Sequence, residues 1–206
     1  MIISLTGFMG CGKSSVGRRL SELLCCSFMD LDDVIVQKAG RSIPEIFETD
    51  GEAVFRQMEH DMLRDIINSR HCEDSKNPWQ SHNCTILALG GGAVMQDECE
   101  RMVHEGTMCI YLKASVETLL SHLEDQADGR PLLNNPSVMS SEVPSVMSSE
   151  VPSVMSSEVE TSPLRNRILE LMSLRSATYE RTAHHIIDTD GKSVEEIAAE
   201  IIGLFS

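Results

Sequence analysis

At 206 residues the chain is long enough for one domain with a proper core, or for one domain carrying an insertion. Its formal net charge of −15 repels nucleic acid and anionic membrane and excludes both as natural partners. It also repels a nucleotide at long range, so any nucleotide site must be a local gathering of positive charge and amide N–H groups.

Residues 2–5 form a short apolar run that reads as a central parallel strand ending at Gly7. Helical spacing follows over 13–24 through Val16, Leu20, Leu23 and Leu24, then a second strand over 27–31. Ser42 and Glu45 make a capping-box pattern that opens a helix through Ile46. Residues 55–67 are amphipathic, with Phe55, Met58, Met62, Leu63 and Ile66 on the apolar side. Residues 68–83 are polar and read as a loop. Strands are expected at 85–89, 107–112 and 184–188, and helices at 115–123 and 165–182. Ser193 and Glu196 repeat the capping box ahead of a last helix through Ile197, Ile201 and Ile202. Strands alternating with helices predict an α/β fold, a five-stranded parallel sheet with helices on both faces.

The segment 136–159 breaks this alternation: it is the octapeptide Pro-Ser-Val-Met-Ser-Ser-Glu-Val written three times. Its proline and period of eight suit neither helix nor strand, and it reads as an extended insertion inside a single domain spanning 1–206. The seven cysteines, odd in number and irregularly spaced, are no disulfide framework. His71, Cys72, His82 and Cys84 cluster, but without the paired Cys-x-x-Cys spacing of a zinc site they read as plain loop. With no basic leader before the apolar start and no membrane-length apolar run, a cytoplasmic protein is expected.

Gly7-Phe8-Met9-Gly10-Cys11-Gly12-Lys13-Ser14 follows a strand and opens a helix, the context in which G-x-x-x-x-G-K-[ST] cradles phosphates. Glycines let successive amides curl toward phosphate oxygens, and the helix N-terminus adds partial positive charge. Lys13 reaches the β- and γ-phosphates, and the Ser14 hydroxyl can ligate Mg²⁺. The nucleotide set is Gly10, Cys11, Gly12, Lys13, Ser14 and Ser15. Cys11 reads either as a helix-terminus thiol of lowered pKa or as a small loop residue, the reading favoured here. Asp30 and Asp32 lie at a strand's C-terminal end, where open α/β sheets bind ligands, and if both are on the strand they point the same way. Asp33 is the candidate helix cap. Gly90-Gly91-Gly92 suits close approach of backbone to a ligand. Arg56 and Arg175 alone read as surface arginines, while Arg130 lies where a lid arginine could neutralise transition-state charge.

Taken together these residues resemble the shikimate kinase family. The resemblance rests on residues 7–14, Phe28-x-Asp30-x-Asp32, Gly40-Arg41-Ser42-Ile43, Phe55-Arg56-x-x-Glu59, Leu89-Gly90-Gly91-Gly92, Arg130-Pro131-Leu132-Leu133 and Arg175-x-x-x-Tyr179. It implies ATP-dependent phosphorylation of the 3-hydroxyl of shikimate, with Lys13, Asp32 and Arg130 catalytic and Asp32 the candidate base. It implies that Arg56, Gly91 and Arg175 bind the substrate with Asp32. It further implies that Asp30 supports Mg²⁺ from behind Ser14, that Arg130 and Lys192 touch ATP, and that the chain is a monomer with a mobile lid. Two other readings stay open. One is another small-molecule kinase on this scaffold, such as a gluconate kinase. The other is a nucleotide-binding protein without catalysis.

Overall fold

Residues 2–6 are buried at every position, as expected of a strand covered on both faces. In the computed structural model, which describes residues 1–70, 84–124 and 162–205, they form β1 (Ile2–Thr6), the middle of a five-stranded sheet. The others are β2 (Ser27–Asp30), β3 (Thr85–Ala88), β4 (Met108–Lys113) and β5 (His185–Asp188), all parallel, in the order β2-β3-β1-β4-β5. Sequence order reverses across β1, between β3 and β4, and such switch points open a crevice at the strands' C-terminal ends.

Eight α-helices connect the strands among the described residues: α1 (Lys13–Leu24), α2 (Leu31–Ala39), α3 (Ile43–Thr49), α4 (Glu52–Arg70), α5 (Asp97–Gly106), α6 (Val116–Glu124), α7 (Pro163–Thr182) and α8 (Val194–Gly203). One face of the sheet carries α1 packed on α8; α4, α5 and α7 with a 3₁₀ turn (Ala93–Met95) pack together on the other. Both capping boxes form as expected, Ser42 with Glu45 and Ser193 with Glu196. The amphipathic helix starts earlier than its apolar stripe, at Glu52, and buries Phe55, Met62, Leu63, Ile66 and Ile67.

Two helices start elsewhere than the sequence indicates, and one of them corrects the reading of the acidic cluster. The chain turns from β2 straight into α2 with no loop between, so the strand ends at Asp30 and Asp32 already sits in the helix's first turn. The alternation of a strand therefore does not relate these two carboxylates. Nor does Asp33 cap the helix: Asp30 does, accepting from the Asp32 amide at 3.2 Å, because only Asp30 keeps the extended backbone a cap needs. Asp33 is exposed, 3.9 Å from Arg18. The second is α5: the glycine triplet reads as opening a helix at Ala93, but residues 93–95 form a 3₁₀ turn and the helix starts at Asp97.

Arg130 and the 136–159 repeat lie outside the described residues, as do His71, Cys72 and His82. Cys84, the remaining member of that cluster, is buried in the core.

Candidate active site

The phosphate-binding candidate is built by the turn between β1 and α1. Gly12 sits at the helix N-cap with φ 91°, a left-handed conformation that glycine adopts without penalty. This terminus has no side-chain cap and no acidic residue in its first turn. Its amides and its end of the helix dipole are therefore available to an anion. Lys13 folds back over the loop, its Nζ donating to the carbonyls of Gly7 at 2.8 Å and Phe8 at 2.9 Å. On the outer side, α6 abuts the loop through His122, whose Nδ1 lies 2.8 Å from the Gly10 carbonyl oxygen. Cys11 is 2% exposed. Its sulfur turns inward beneath Gly7, where an added Cβ would stand 2.9 Å from it. The small packed residue is the form the structure takes, and any contact of Cys11 with phosphate would be through its backbone.

Ser14 follows Lys13 in the first turn of α1, and its hydroxyl donates to Asp30 Oδ2 at 2.7 Å. A hydroxyl backed by a carboxylate is a hard-oxygen arrangement that fits Mg²⁺. Among the described residues, no group of three or more His, Cys, Asp or Glu is placed to hold a metal. A cation here would be held mainly by phosphate oxygens and water, as Mg²⁺ commonly is.

The acceptor side lies beside the loop, at the ends of β2 and β3. Asp32 is largely buried, and its carboxyl is pushed above the usual carboxylate range, first by burial and next by the charge of Asp30, with Lys13 opposing. Gly90, just after β3, fits between Asp32 and Glu59: an added Cβ would stand 2.8 Å from Asp32 Oδ1 and 3.0 Å from Glu59 Oε1. Arg56 reaches the same place from α4. Its guanidinium donates to Glu52 at 3.2 and 3.3 Å and to the buried Glu59 at 2.6 Å. It lies over Gly92, where a Cβ would be 2.5 Å from Nη1.

Arg175, on α7, is 7% exposed, so the reading of Arg56 and Arg175 as surface arginines does not hold. Carboxylates from their own helix draw Arg56 inward. Arg175 shares the inward face of α7 with the buried Tyr179, one turn on. The Tyr179 hydroxyl donates to the Gly91 carbonyl. Gly91 touches the phosphate loop itself, with an added Cβ 3.5 Å from the Met9 nitrogen and 3.7 Å from the Gly7 oxygen. The turn 90–92 thus joins Asp32, Glu59, Arg56, Tyr179 and the phosphate loop.

Two expected residues are placed less centrally. Ser15 lies beside Ser14 in the first turn of α1 and is exposed. Lys192 lies after β5, at the same end of the sheet, with its Nζ 2.6 Å from Glu200. The role of Glu59 was missed in the sequence, although Phe-Arg-x-x-Glu held the signal: Arg56 and Glu59, three apart on a helix, share a face.

This arrangement has close relatives. A family model described as Shikimate kinase matches residues 9–205. A shikimate kinase from Salinibacter ruber is 33% identical over 202 residues, covering 98% of this chain and 83% of its own. One from Thermus thermophilus is 34% identical over 200 residues, covering 97% and 87%. Among solved structures, a shikimate kinase from Acinetobacter baumannii in complex with shikimate superposes with a TM-score of 0.73 at 29% identity, covering 99% of this chain and 92% of that one. The shikimate kinase of Aquifex aeolicus superposes with a TM-score of 0.67 at 25% identity, covering 100% and 96%.

Proposed function

The chain belongs to the shikimate kinase family, and from that premise we propose how its residues divide the work of moving a phosphoryl group from ATP to shikimate. It is an ATP-dependent kinase acting on the 3-hydroxyl of shikimate, yielding shikimate 3-phosphate and ADP. The observation that carries the assignment of roles is the meeting of Asp32 and Arg56 at the 90–92 turn, whose Gly91 lies against the phosphate loop. It puts a proton acceptor, a carboxylate partner and a phosphate cradle within one crevice.

The amides from Gly10 to Ser15 and the Lys13 ammonium hold the phosphate chain. Mg²⁺, held by Ser14 with Asp30 behind it, would supply charge neutralisation between phosphate oxygens. Arg56 and Arg175 grip the planar carboxylate of shikimate, with Gly91 beneath it; their guanidinium forks suit that group. This anchors the ring with its hydroxyls toward Asp32. Asp32 takes the proton of the 3-hydroxyl as that oxygen attacks the γ-phosphorus and the bond to ADP breaks. Its raised pKa brings its proton affinity nearer to neutrality, which suits a general base. Arg130, outside the described residues, is assigned to the lid and Lys192 to the nucleotide on the family pattern.

The protein works as a monomeric cytoplasmic enzyme, one domain with the repeat inserted near the lid. No helix among the described residues is long and apolar enough to cross a membrane. The test is coupled ADP release with shikimate, gluconate and a panel of polyols. Stimulation by shikimate with Mg²⁺ is expected; stimulation by gluconate alone would reject the substrate assignment, and nucleotide binding without turnover would reject catalysis.

A further inference from the structure

We infer that Tyr179 is a positioning residue for shikimate, whose buried hydroxyl ties the helix carrying the carboxylate-gripping arginine to the glycine backbone beneath it. The inference rests on the roles proposed above for Arg175 and Gly91.

Arg175 and Tyr179 are one turn apart on α7 and share its inward face, with exposures of 7% and 1%. The hydroxyl donates to the Gly91 carbonyl. Gly91 is held between this phenol, 3.9 Å from its Cβ position, and the backbone of Met9 and Gly7. The ring is steadied by Tyr111 of β4, centroid to centroid 5.3 Å.

The direction of the Tyr179 bond separates a positioning role from mere satisfaction of a buried hydroxyl. Other hydroxyls of α7 bond back within their own helix: Ser176 donates to the Met172 carbonyl and Thr182 to that of Thr178. Tyr179 instead crosses to the turn after β3, 88 residues away in sequence. Without that bond, the stretch of α7 that carries Arg175 and the 90–92 turn are no longer tied together. The carboxylate end of the substrate then meets a looser pocket, while the amides and Lys13 on the nucleotide side keep their places.

The test is Tyr179→Phe, which removes one oxygen and keeps the ring. Tyr111→Phe serves as a control that removes a neighbouring hydroxyl, and Arg175→Lys as a probe of the carboxylate site. Both phenylalanine variants are expected to lower Tm. Only Tyr179→Phe should raise the KM for shikimate, by about three- to tenfold, the worth of one net hydrogen bond. Its kcat and KM for ATP should stay within about twofold, the pattern of lost ground-state binding. Calorimetric titration of shikimate into the same variant should show the matching loss of affinity. An unchanged shikimate KM in Tyr179→Phe beside a raised one in Arg175→Lys would overturn this inference and leave the site intact. An unchanged KM in both would overturn the carboxylate site itself.

Discussion

Ser14 and Asp30 are joined by a 2.7 Å hydrogen bond that ties the first turn of α1 to the cap of α2. The same carboxylate thus steadies a cation ligand and ends a strand, and two substitutions separate these tasks. Asp30→Asn keeps an N-cap and should leave Tm nearly unchanged while raising the Mg²⁺ concentration for half-maximal activity. Asp30→Ala loses the cap as well and should cost about 1 kcal/mol, or roughly 2–4 °C in Tm. An unchanged Mg²⁺ requirement in both would remove Asp30 from the metal's surroundings.

Burial, and next the charge of Asp30, push the Asp32 carboxyl above the usual carboxylate range. Its folded pKa lies above its ordinary value of 3.8, so between the two the folded chain binds more protons. Stability therefore falls as pH rises through that window, and the deficit persists above it. Asp32→Asn should accordingly raise Tm at neutral pH while lowering kcat by about 10²–10⁴-fold, as befits a general base. Thermal melts alongside turnover rates decide; loss of both stability and activity would mark the carboxylate as structural.

Gly90 and Gly92 allow a contrast between two neighbouring positions. An alanine methyl at 90 meets Asp32 Oδ1 and Glu59 Oε1 first, whereas at 92 its nearest neighbours are the guanidinium atoms of Arg56. Gly90→Ala should lower kcat and cost about 1–3 kcal/mol of stability through overpacking. Gly92→Ala should chiefly raise the shikimate KM, since it displaces the carboxylate grip. Identical kinetic profiles for the two would show that the turn acts only as a whole.

His184 accepts the Cys109 amide at Nδ1, 3.1 Å away, and stacks on His104 with centroids 4.6 Å apart. Burial, then His104 and His185, hold its pKa below the ordinary 6.5. Below that pH the unfolded chain takes up a proton that the folded one refuses. Stability therefore falls with pH from 6.5 down to the folded pKa. His184→Asn keeps an acceptor that does not titrate, so its Tm should depend less on pH in this range. An unaltered pH profile would exclude His184 as the source.

The insertion at 136–159 offers a prediction about turnover. Its clean deletion should leave shikimate phosphorylation within about tenfold, the scale of a gating change rather than of lost chemistry. Abolished activity with the fold intact would give the repeat an essential role.

What the sequence disclosed follows the range of the interactions involved. The phosphate loop and both capping boxes are local, three to eight residues each, and each formed as its spacing predicts. The start of α2 was hidden because Asp30 and Asp32 resemble a strand end, whereas the helix begins at Leu31 with no loop. The helix expected to open at Ala93 instead begins with a 3₁₀ turn over 93–95, and α5 starts only at Asp97. The burial of Arg175 was illegible for another reason: the Gly91 turn that receives Tyr179, one turn along the same helix, lies far along the chain, and no local pattern reports such a meeting. Only the family resemblance placed that arginine in the site.

The grip of Lys13 on its own loop has a consequence for ligand choice. The ammonium has two carbonyl oxygens, those of Gly7 and Phe8, at hydrogen-bond distance. A ligand oxygen that draws the ammonium away from them must replace neutral acceptors. A polyphosphate chain, presenting several charged oxygens, is better suited to that exchange than an anion offering one.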